Sequence, residues 1–222
     1  MFSAIAPRYD FLNRLLSLGR DRSWRREAVG QIGPAGGGRH LDVATGTADV
    51  ALEILRQKGD LSRVVGSDIS LKMMRIGQSK AARAVKEGRM AFVCAPGESL
   101  PFRDGAFDSA FIAFGIRNVV DRERGLSEMC RVVRPGGRVV VLEFSKPDGA
   151  LFGILYHLYF TRVLPRIGAF FSKGSAYAYL PRSVQTFPSP PVFADMMRAA
   201  GCSSVDSRPL TFGIVTLYVG TR

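Results

Sequence analysis

Arg39-His40-Leu41-Asp42-Val43-Ala44-Thr45-Gly46-Thr47-Ala48-Asp49-Val50-Ala51-Leu52 decides the fold. An apolar strand over 39–44 runs into a Gly/Thr turn, and a helical pattern over 49–58 starts at once. That arrangement brings backbone N–H groups and a helix N-terminus up to a ligand. A second apolar run over 64–67 is followed by Asp68, 26 residues beyond Asp42. A carboxylate just past the second strand suits the two hydroxyls of a ribose.

The turn holds one glycine, Gly46, so the G-x-G-x-x-G dinucleotide fingerprint is absent. A pyrophosphate needs close backbone approach at several points. A ligand with a nucleoside but no phosphate, S-adenosyl-L-methionine (SAM), is easier to fit.

Strands and helices alternate outward from this turn. Further strands are predicted at 90–93, 107–114 and 138–144, and helices at 70–86 and 121–133. Ser70 is placed to cap the first of these helices, and Pro135-Gly136-Gly137 to end the second. The alternation predicts a doubly wound, mostly parallel α/β sheet with the 39–44 strand central. Residues 2–32 read as helical, with Tyr9, Phe11, Leu12, Leu15, Leu16 and Leu18 spaced for an apolar face. A helix at 191–200 and strands at 204–209 and 213–220 close the sheet as a hairpin.

One segment departs from the alternation. Residues 148–172 are rich in Leu, Phe, Ile and Tyr, but His157, Arg162, Pro165 and Arg166 interrupt the run. A membrane span wants about 20 nearly uninterrupted apolar residues, so a lid or interfacial helix is expected instead. The chain therefore divides into an N-terminal helical cap (1–38), a core (39–147), a helical lid (148–190) and a closing helix and hairpin (191–222), within one domain.

The N-terminus has no secretory signal pattern. Cys94, Cys130 and Cys202 are far apart and odd in number. With His40 and His157 as the only histidines, no metal-ligand spacing or disulfide framework results. The cysteines read as small core hydrophobes, and a reducing cytoplasm is expected. The net charge of +12 points to an anionic partner, a nucleic acid or a membrane surface, unless it is merely a basic surface.

The segments Asp68-Ile69-Ser70, Gly97-Glu98-Ser99-Leu100-Pro101-Phe102, Phe107-Asp108 and Arg134-Pro135-Gly136-Gly137-Arg138, with the opening turn, resemble the class I SAM-dependent methyltransferases over 39–145. Other segments narrow the resemblance. Phe2-Ser3 with Ile5-Ala6-Pro7-Arg8-Tyr9-Asp10, Phe114-Gly115-Ile116-Arg117-Asn118-Val119, and Leu142-Glu143-Phe144-Ser145-Lys146-Pro147 are similar to the ubiquinone/menaquinone biosynthesis C-methyltransferases. So are Leu164-Pro165-Arg166-Ile167-Gly168, Tyr177 with Tyr179-Leu180, and Met196-Met197 with Ala200-Gly201.

That resemblance implies a Rossmann-like class I methyltransferase fold, seven-stranded, with a C-terminal antiparallel hairpin and a helical lid. It implies methylation of a ring carbon on a polyprenyl benzoquinol or naphthoquinol. Thr47 and Asp68 would contact SAM, with Asp42 and Gly46 shaping the turn. Ile69 would belong to the same site, Pro96 and Gly97 would lie beside the adenine, and Ala113 would line the methionine side. Relatives often carry Asp or Asn where this chain has Pro96, which offers neither a side-chain acceptor nor an N–H.

Arg117 and Asn118 are the catalytic candidates. A phenol titrates near 10, so the site must help to remove that proton or stabilise the phenolate. Arginine stays protonated, so Arg117 would stabilise the developing phenolate and hold a water, and Asn118 would orient the quinol or that water. Arg117 could instead pair with Asp121 or Glu143 and only shape its loop. Tyr9, His157, Tyr177 and Tyr179 are candidates for the quinone pocket.

The expected partners are a lipophilic quinol and an anionic membrane surface touched peripherally at its cytoplasmic face, and a homodimer is left open. Nucleic acid is disfavoured by the lack of an Asn-Pro-Pro-Tyr-type site, a Pro-Cys nucleophile and an aromatic platform for bases. A non-catalytic SAM-binding subunit is kept in play by Pro96 and opposed by Arg117-Asn118.

Overall fold

The computed structural model describes residues 14, 17–33, 37–146 and 183–222. Helix α1 (Arg20–Val29) precedes β1 (Gly38–Val43), α2 (Asp49–Lys58) and β2 (Ser62–Ser67). Then come α3 (Leu71–Lys80), α4 (Ala82–Lys86), β3 (Met90–Val93), β4 (Phe107–Ala113) and a single 3-10 turn (Ile116–Asn118). Helix α5 (Arg122–Val132), β5 (Val133–Phe144), α6 (Pro190–Ala199), β6 (Ser204–Leu210) and β7 (Val215–Thr221) complete the order.

The strands form one seven-stranded sheet in the order β3-β2-β1-β4-β5-β7-β6. The first five are parallel, and β7 runs antiparallel to both β5 and β6. This is the expected sheet with its closing hairpin. Most of β4 and the second half of β5 are buried on both faces, which is why they read as nearly unbroken apolar runs, whereas β1 buries His40 and Asp42 between its apolar residues. Alternate residues feed two cores. Leu41, Val43, Ile112 and Val141 pack with Leu126 and Met129 of α5 and with Phe193 and Met197 of α6. Phe111, Val140 and Leu142 pack on the other side with Trp24 and Ala28 of α1 and Ile54 of α2.

Connections from β1 lead to β2 and β3 on one side, and β4 leads to β5 on the other. The order therefore reverses between β1 and β4, and the crevice beyond their carboxyl ends is where such sheets take ligands.

Several boundaries differ from the sequence reading. Strands β1 and β4 stop one residue early because Ala44 (φ 53°) and Phe114 (φ 55°) turn left-handed. The helix expected over 70–86 breaks at Ala81 (φ −94°, ψ 11°), and Ala81 and Ala84 both pack in the core. Leu18 and Gly19 are left-handed, so the N-terminal helix is not continuous through them, and Leu18 is exposed rather than on an apolar face. Pro135-Gly136-Gly137 does not separate α5 from the next strand. It forms a bulge inside β5, which starts at Val133. A Cβ on Gly137 would lie 2.6 Å from the Asp108 carbonyl oxygen, so only glycine lets the bulge sit that close to β4. Most of the lid expected over 148–190, with His157, Tyr177 and Tyr179, lies outside the described residues, as does Tyr9; of its described end, residues 183–185 are helical. No helix among the described residues is long and apolar enough to cross a membrane.

The fold brings Cys130 on α5 and Cys202 after α6 together, with their sulfurs 3.4 Å apart in the core. Both are buried, whereas Cys94 is exposed. A thiol reagent added to native protein is expected to modify Cys94 alone rapidly, with Cys130 and Cys202 reacting only on denaturation. Two or three thiols modified at one rate would contradict this packing.

Candidate functional site

The turn after β1 is organised by a carboxylate beneath it. Asp42 is buried, and its Oδ2 accepts hydrogen bonds from the Thr45 hydroxyl (2.6 Å) and the Ala51 N–H (3.2 Å). Helix α2 has no side-chain cap of its own, because its N-cap residue Ala48 (φ 66°) has none to offer. Asp42 thus takes a first-turn N–H from below and leaves the upper side of the turn open. Burial pushes the Asp42 carboxyl up to about 7, against the opposing hydrogen bond from Thr45. Thr45 was not singled out from the sequence, although a hydroxyl three residues after a strand carboxylate is the readable signal.

Asp68 links this turn to the next loop. Its Oδ2 accepts from the Gly46 N–H (2.8 Å) and its Oδ1 from the Ser70 N–H (2.7 Å). A carboxylate has about four lone-pair directions. With the Gly46, Ser70 and Ile69 N–H groups directed at it, Asp68 keeps acceptor capacity for a further donor such as a ribose hydroxyl. Burial raises its pKa. Thr47 is buried, with its hydroxyl accepting from the Lys80 ammonium at 3.3 Å. Lys80 also contacts Asp49, at the start of α2.

Beyond β2 and β3, Ile69 is 73% exposed and Pro96 is exposed. A Cβ on Gly97 would lie 3.3 Å from Val43. Exposed Ile69 and the Pro96-Gly97 turn offer apolar surface, after β2 and β3 respectively, of the kind a purine packs on. The Pro96 carbonyl is used within its own turn, by the Ser99 N–H. Glu98, which the sequence did not single out, fastens this loop to the one after β4. Its Oε1 accepts from the Val120 N–H (3.0 Å), and its carbonyl accepts from Arg124 Nε (2.9 Å).

The turn after β4 abuts the turn after β1. Ala113, half-buried, ends β4 one step past the Val43–Ile112 pair. A Cβ on Gly115 would lie 2.9 Å from the Ala44 Cβ, so the two turns touch there. Phe114 then turns its carbonyl back over the 3-10 turn, where it accepts from Arg117 Nη1 (2.6 Å), with a long contact to Asn118 Nδ2 (3.5 Å).

Arg117 is buried and pairs with Glu143 of β5, not with Asp121. Nη1 donates to Oε1 at 2.6 Å, and the Arg117 backbone N–H donates to Oε2 at 3.3 Å. Arg117 Nε and Asn118 Oδ1 are buried and have no hydrogen-bond partner among the described residues. The site thus holds an unspent donor and an unspent acceptor on adjacent residues at the switch point.

An aromatic cluster supports this loop. Phe114 and Phe144 stack at 4.7 Å, with Trp24 6.2 Å and 6.4 Å from them. The Arg117 guanidinium lies 5.4 Å from the Phe144 ring, and that of Arg25 lies 5.7 Å from Phe114. Arg25 pairs with Asp21 (2.5 Å) and approaches Asp49 (3.6 Å), which fastens α1 to the start of α2. The structure thus brings together Asp42, Gly46, Thr47, Asp68, Ala113, Arg117 and Asn118 at the carboxyl ends of adjacent strands, with Ile69, Pro96 and Gly97 along the same edge. No cluster of metal-ligating side chains occurs among the described residues.

The model of the ubiE/COQ5 methyltransferase family matches residues 1–222. The "Ubiquinone/menaquinone biosynthesis C-methyltransferase UbiE" of Geobacter sp. (strain M21) is 55% identical over 222 residues, covering all of this chain and 94% of the relative. The "Demethylmenaquinone methyltransferase" of Thermus thermophilus is 49% identical over 223 residues, covering 100% of both. Among solved structures, a SAM-dependent methyltransferase from Thermotoga maritima superposes with a TM-score of 0.67 at 20% identity, over 99% of this chain and 97% of that one. Phosphoethanolamine N-methyltransferase 2 of Haemonchus contortus, in complex with S-adenosyl-L-methionine, gives 0.68 at 13% identity, over 90% and 52%. These two show the shared fold.

The two buried titratable groups of β1 act on stability in opposite directions. Burial holds His40 down to about 4, so it stays neutral in the folded chain while it protonates near 6.5 unfolded. Its contribution is present above pH 6.5 and lost as pH falls towards 4. Asp42, raised from 3.8 to about 7, contributes most below pH 4 and loses that contribution as pH rises to 7. Each arm has a ceiling of roughly 3–4 kcal/mol. Wild-type stability in urea should therefore vary little between pH 4 and 6.5. Asp42→Asn should become more stable with rising pH, and His40→Gln less stable. Parallel profiles for the three proteins would refute the assignment.

Proposed function

The chain belongs to the ubiE/COQ5 methyltransferase family, and we propose that it methylates a ring carbon of a polyprenyl quinol, converting demethylmenaquinol to menaquinol, acting in the benzoquinol step of ubiquinone synthesis, or both. It is a SAM-dependent C-methyltransferase. The observation that carries the substrate reading is the unpartnered pair at the switch point, Arg117 Nε–H and Asn118 Oδ1. A ring hydroxyl satisfies both at once, accepting from the first and donating to the second.

The residues present fit the methyl donor. Asp68 has acceptor capacity left for a ribose hydroxyl, Ile69 and Pro96-Gly97 offer an apolar face to the adenine, and the Gly46 and Thr47 turn lies between them and Ala113. Bound there, S-adenosyl-L-methionine supplies a methyl group on a positively charged sulfur, which leaves as a neutral thioether when carbon attacks. The acceptor carbon is nucleophilic once its neighbouring hydroxyl is ionised. Arg117 favours that ionisation by directing fixed N–H donors at the oxygen as its charge develops. Asn118 takes the hydroxyl proton's hydrogen bond beforehand and orients the ring. A water held by Arg117 carries that proton away, and loss of the ring hydrogen as a second proton restores the aromatic product. The hydroxyl is then reprotonated, so one proton is released overall for each methyl transferred.

A polyprenyl substrate resides in the bilayer, so peripheral contact with the cytoplasmic face of the membrane belongs to the same proposal. The net charge of +12 supports it, since each well-placed Lys or Arg contributes about 1 kcal/mol at an anionic surface. Tyr9 of the expected N-terminal cap and His157, Tyr177 and Tyr179 of the expected lid would line the quinone pocket.

Purified protein with labelled SAM is expected to transfer methyl to demethylmenaquinol or a demethoxy-type benzoquinol, more rapidly in anionic than in neutral vesicles, and not to total RNA. Absence of transfer to either reduced quinone would overturn the reading. Arg117→Lys keeps a partner for Glu143 but loses the guanidinium fork. It should lower kcat by roughly 100-fold with SAM affinity within a few-fold of wild type. Arg117→Ala should lose turnover as well and, by leaving a buried carboxylate unpaired, about 3–5 kcal/mol of stability.

A further inference from the structure

Glu143 is the one fully buried carboxylate of β5, and its two oxygens are spent almost wholly on Arg117. Oε1 accepts from Arg117 Nη1 (2.6 Å) and from the Phe144 N–H (2.8 Å), and Oε2 accepts from the Arg117 N–H (3.3 Å). The second acceptor of Nη1 is the Phe114 carbonyl, at 2.6 Å. Both Nη1 hydrogens are therefore committed. A planar guanidinium with one nitrogen fixed by two acceptors and its face against Phe144 has no rotational freedom left. What remains is the opposite edge, Nε–H and the adjacent Nη2–H, parallel donors at fork spacing. Nε is the atom that is buried and unpartnered.

Burying such a pair is rarely worth its desolvation. Apolar replacements of similar volume are often as stable or more so. The pair is thus poorly explained as a stabilising device and better explained by the geometry that it enforces.

We propose that Glu143 is a positioning residue for methyl transfer, which clamps Arg117 through Nη1 and its backbone N–H so that the Nε/Nη2 edge is presented to the ring oxygen of the acceptor. The inference rests on the reading of Arg117 as the group that stabilises the ionised quinol. Glu143 touches neither acceptor nor methyl donor in this arrangement. It also sets the local charge. Paired with Glu143, Arg117 adds little net positive charge, so its directed N–H groups, more than its charge, stabilise the oxygen.

The test uses the full chain with SAM and demethylmenaquinol in vesicles. Glu143→Gln keeps the shape but loses the charge, and it puts an NH2 against donors. It is expected to lower plateau kcat by roughly 30-fold or more, with KM for SAM within about threefold. The removed negative charge should shift the rising limb of the kcat–pH profile to lower pH by about one unit. Glu143→Asp, which retains the charge, should leave that limb in place while lowering kcat. In an Arg117→Met background, Glu143→Gln should have no further effect on kcat, because there is no guanidinium left to place. Near wild-type kcat for Glu143→Gln, or an equal loss in both backgrounds, would overturn the proposal while leaving the role of Arg117 standing. Undiminished turnover in Arg117→Met would instead remove the reading of Arg117 itself. Should Glu143→Gln fail to fold, Glu143→Asp carries the same cycle, and equal losses with and without Arg117 again refute the clamp.

Discussion

Everything at this site depends on two neighbouring strands leaving the sheet within van der Waals contact of each other. Strands β1 and β4 are paired up to Val43 and Ile112, and their chains then diverge to opposite sides of the sheet. The divergence is made by left-handed residues, Ala44 and Phe114, at equivalent depths. Neither residue type favours that conformation, which costs roughly 1–2 kcal/mol for an L-residue. The cost is borne because Gly115 lies against Ala44 with no room for a Cβ between them. Because Ala44 precedes the Thr45–Thr47 turn and Phe114 precedes Arg117, this contact sets how far the turn after β1 stands from Arg117; under the proposed function, those two turns carry methyl donor and acceptor. Methyl transfer demands in-line approach of the reacting atoms. A rigid contact between the two turns supplies that better than any contact made by long side chains.

Three carboxylates at the same edge, Asp42, Asp68 and Glu143, share one design. Asp42, Asp68 and Glu143 each accept backbone N–H groups from the loops above them. Each therefore acts as an internal cap that converts flexible loop backbone into a fixed platform. Asp42 does this for α2, Asp68 joins the loops after β1 and β2, and Glu98 joins those after β3 and β4. Hydrogen bonds to charged groups are worth about 1.5–3 kcal/mol, which offsets part of the cost of burial. The arrangement leaves acceptor capacity on Asp68 and a spare N–H on Arg117.

The layout of the sheet was legible because parallel strands covered on both faces are rich in apolar residues, and a buried polar residue among them, such as His40 or Asp42, needs a partner. The stretches at 39–44, 64–67, 90–93 and 107–114 could hardly be anything else. The candidate residues Asp42, Asp68 and Arg117 were legible by type and by position after a strand, since a charged residue in such a place needs a reason. Local backbone geometry was not. Ala44, Ala48 and Phe114 are ordinary strand and helix formers by type, and only contact with a neighbouring loop forces them left-handed. Long-range partners were hidden for the same reason. Cys130 meets Cys202, and Arg25 meets Asp49, through the stacking of helices on a sheet whose register the chain does not spell out. The bulge at Pro135-Gly136-Gly137 has the composition of a helix stop. Its placement inside β5 follows from the close approach of Gly137 to Asp108.

The choice of partner for Arg117 illustrates how structure and chemistry divide one side chain. The sequence left two readings, a phenolate-stabilising group or a loop-shaping ion pair with Asp121 or Glu143. The geometry makes them compatible, because a guanidinium has five donors on separate edges. One nitrogen shapes the loop through Glu143 and the Phe114 carbonyl, and the opposite edge stays available. A lysine at this position could not serve both ends, since its three donors radiate from a single atom on a flexible stem. The buried carboxylate behind Arg117 therefore does not compete with a role in front of it. By fixing one edge of a planar group it determines where the other edge must point.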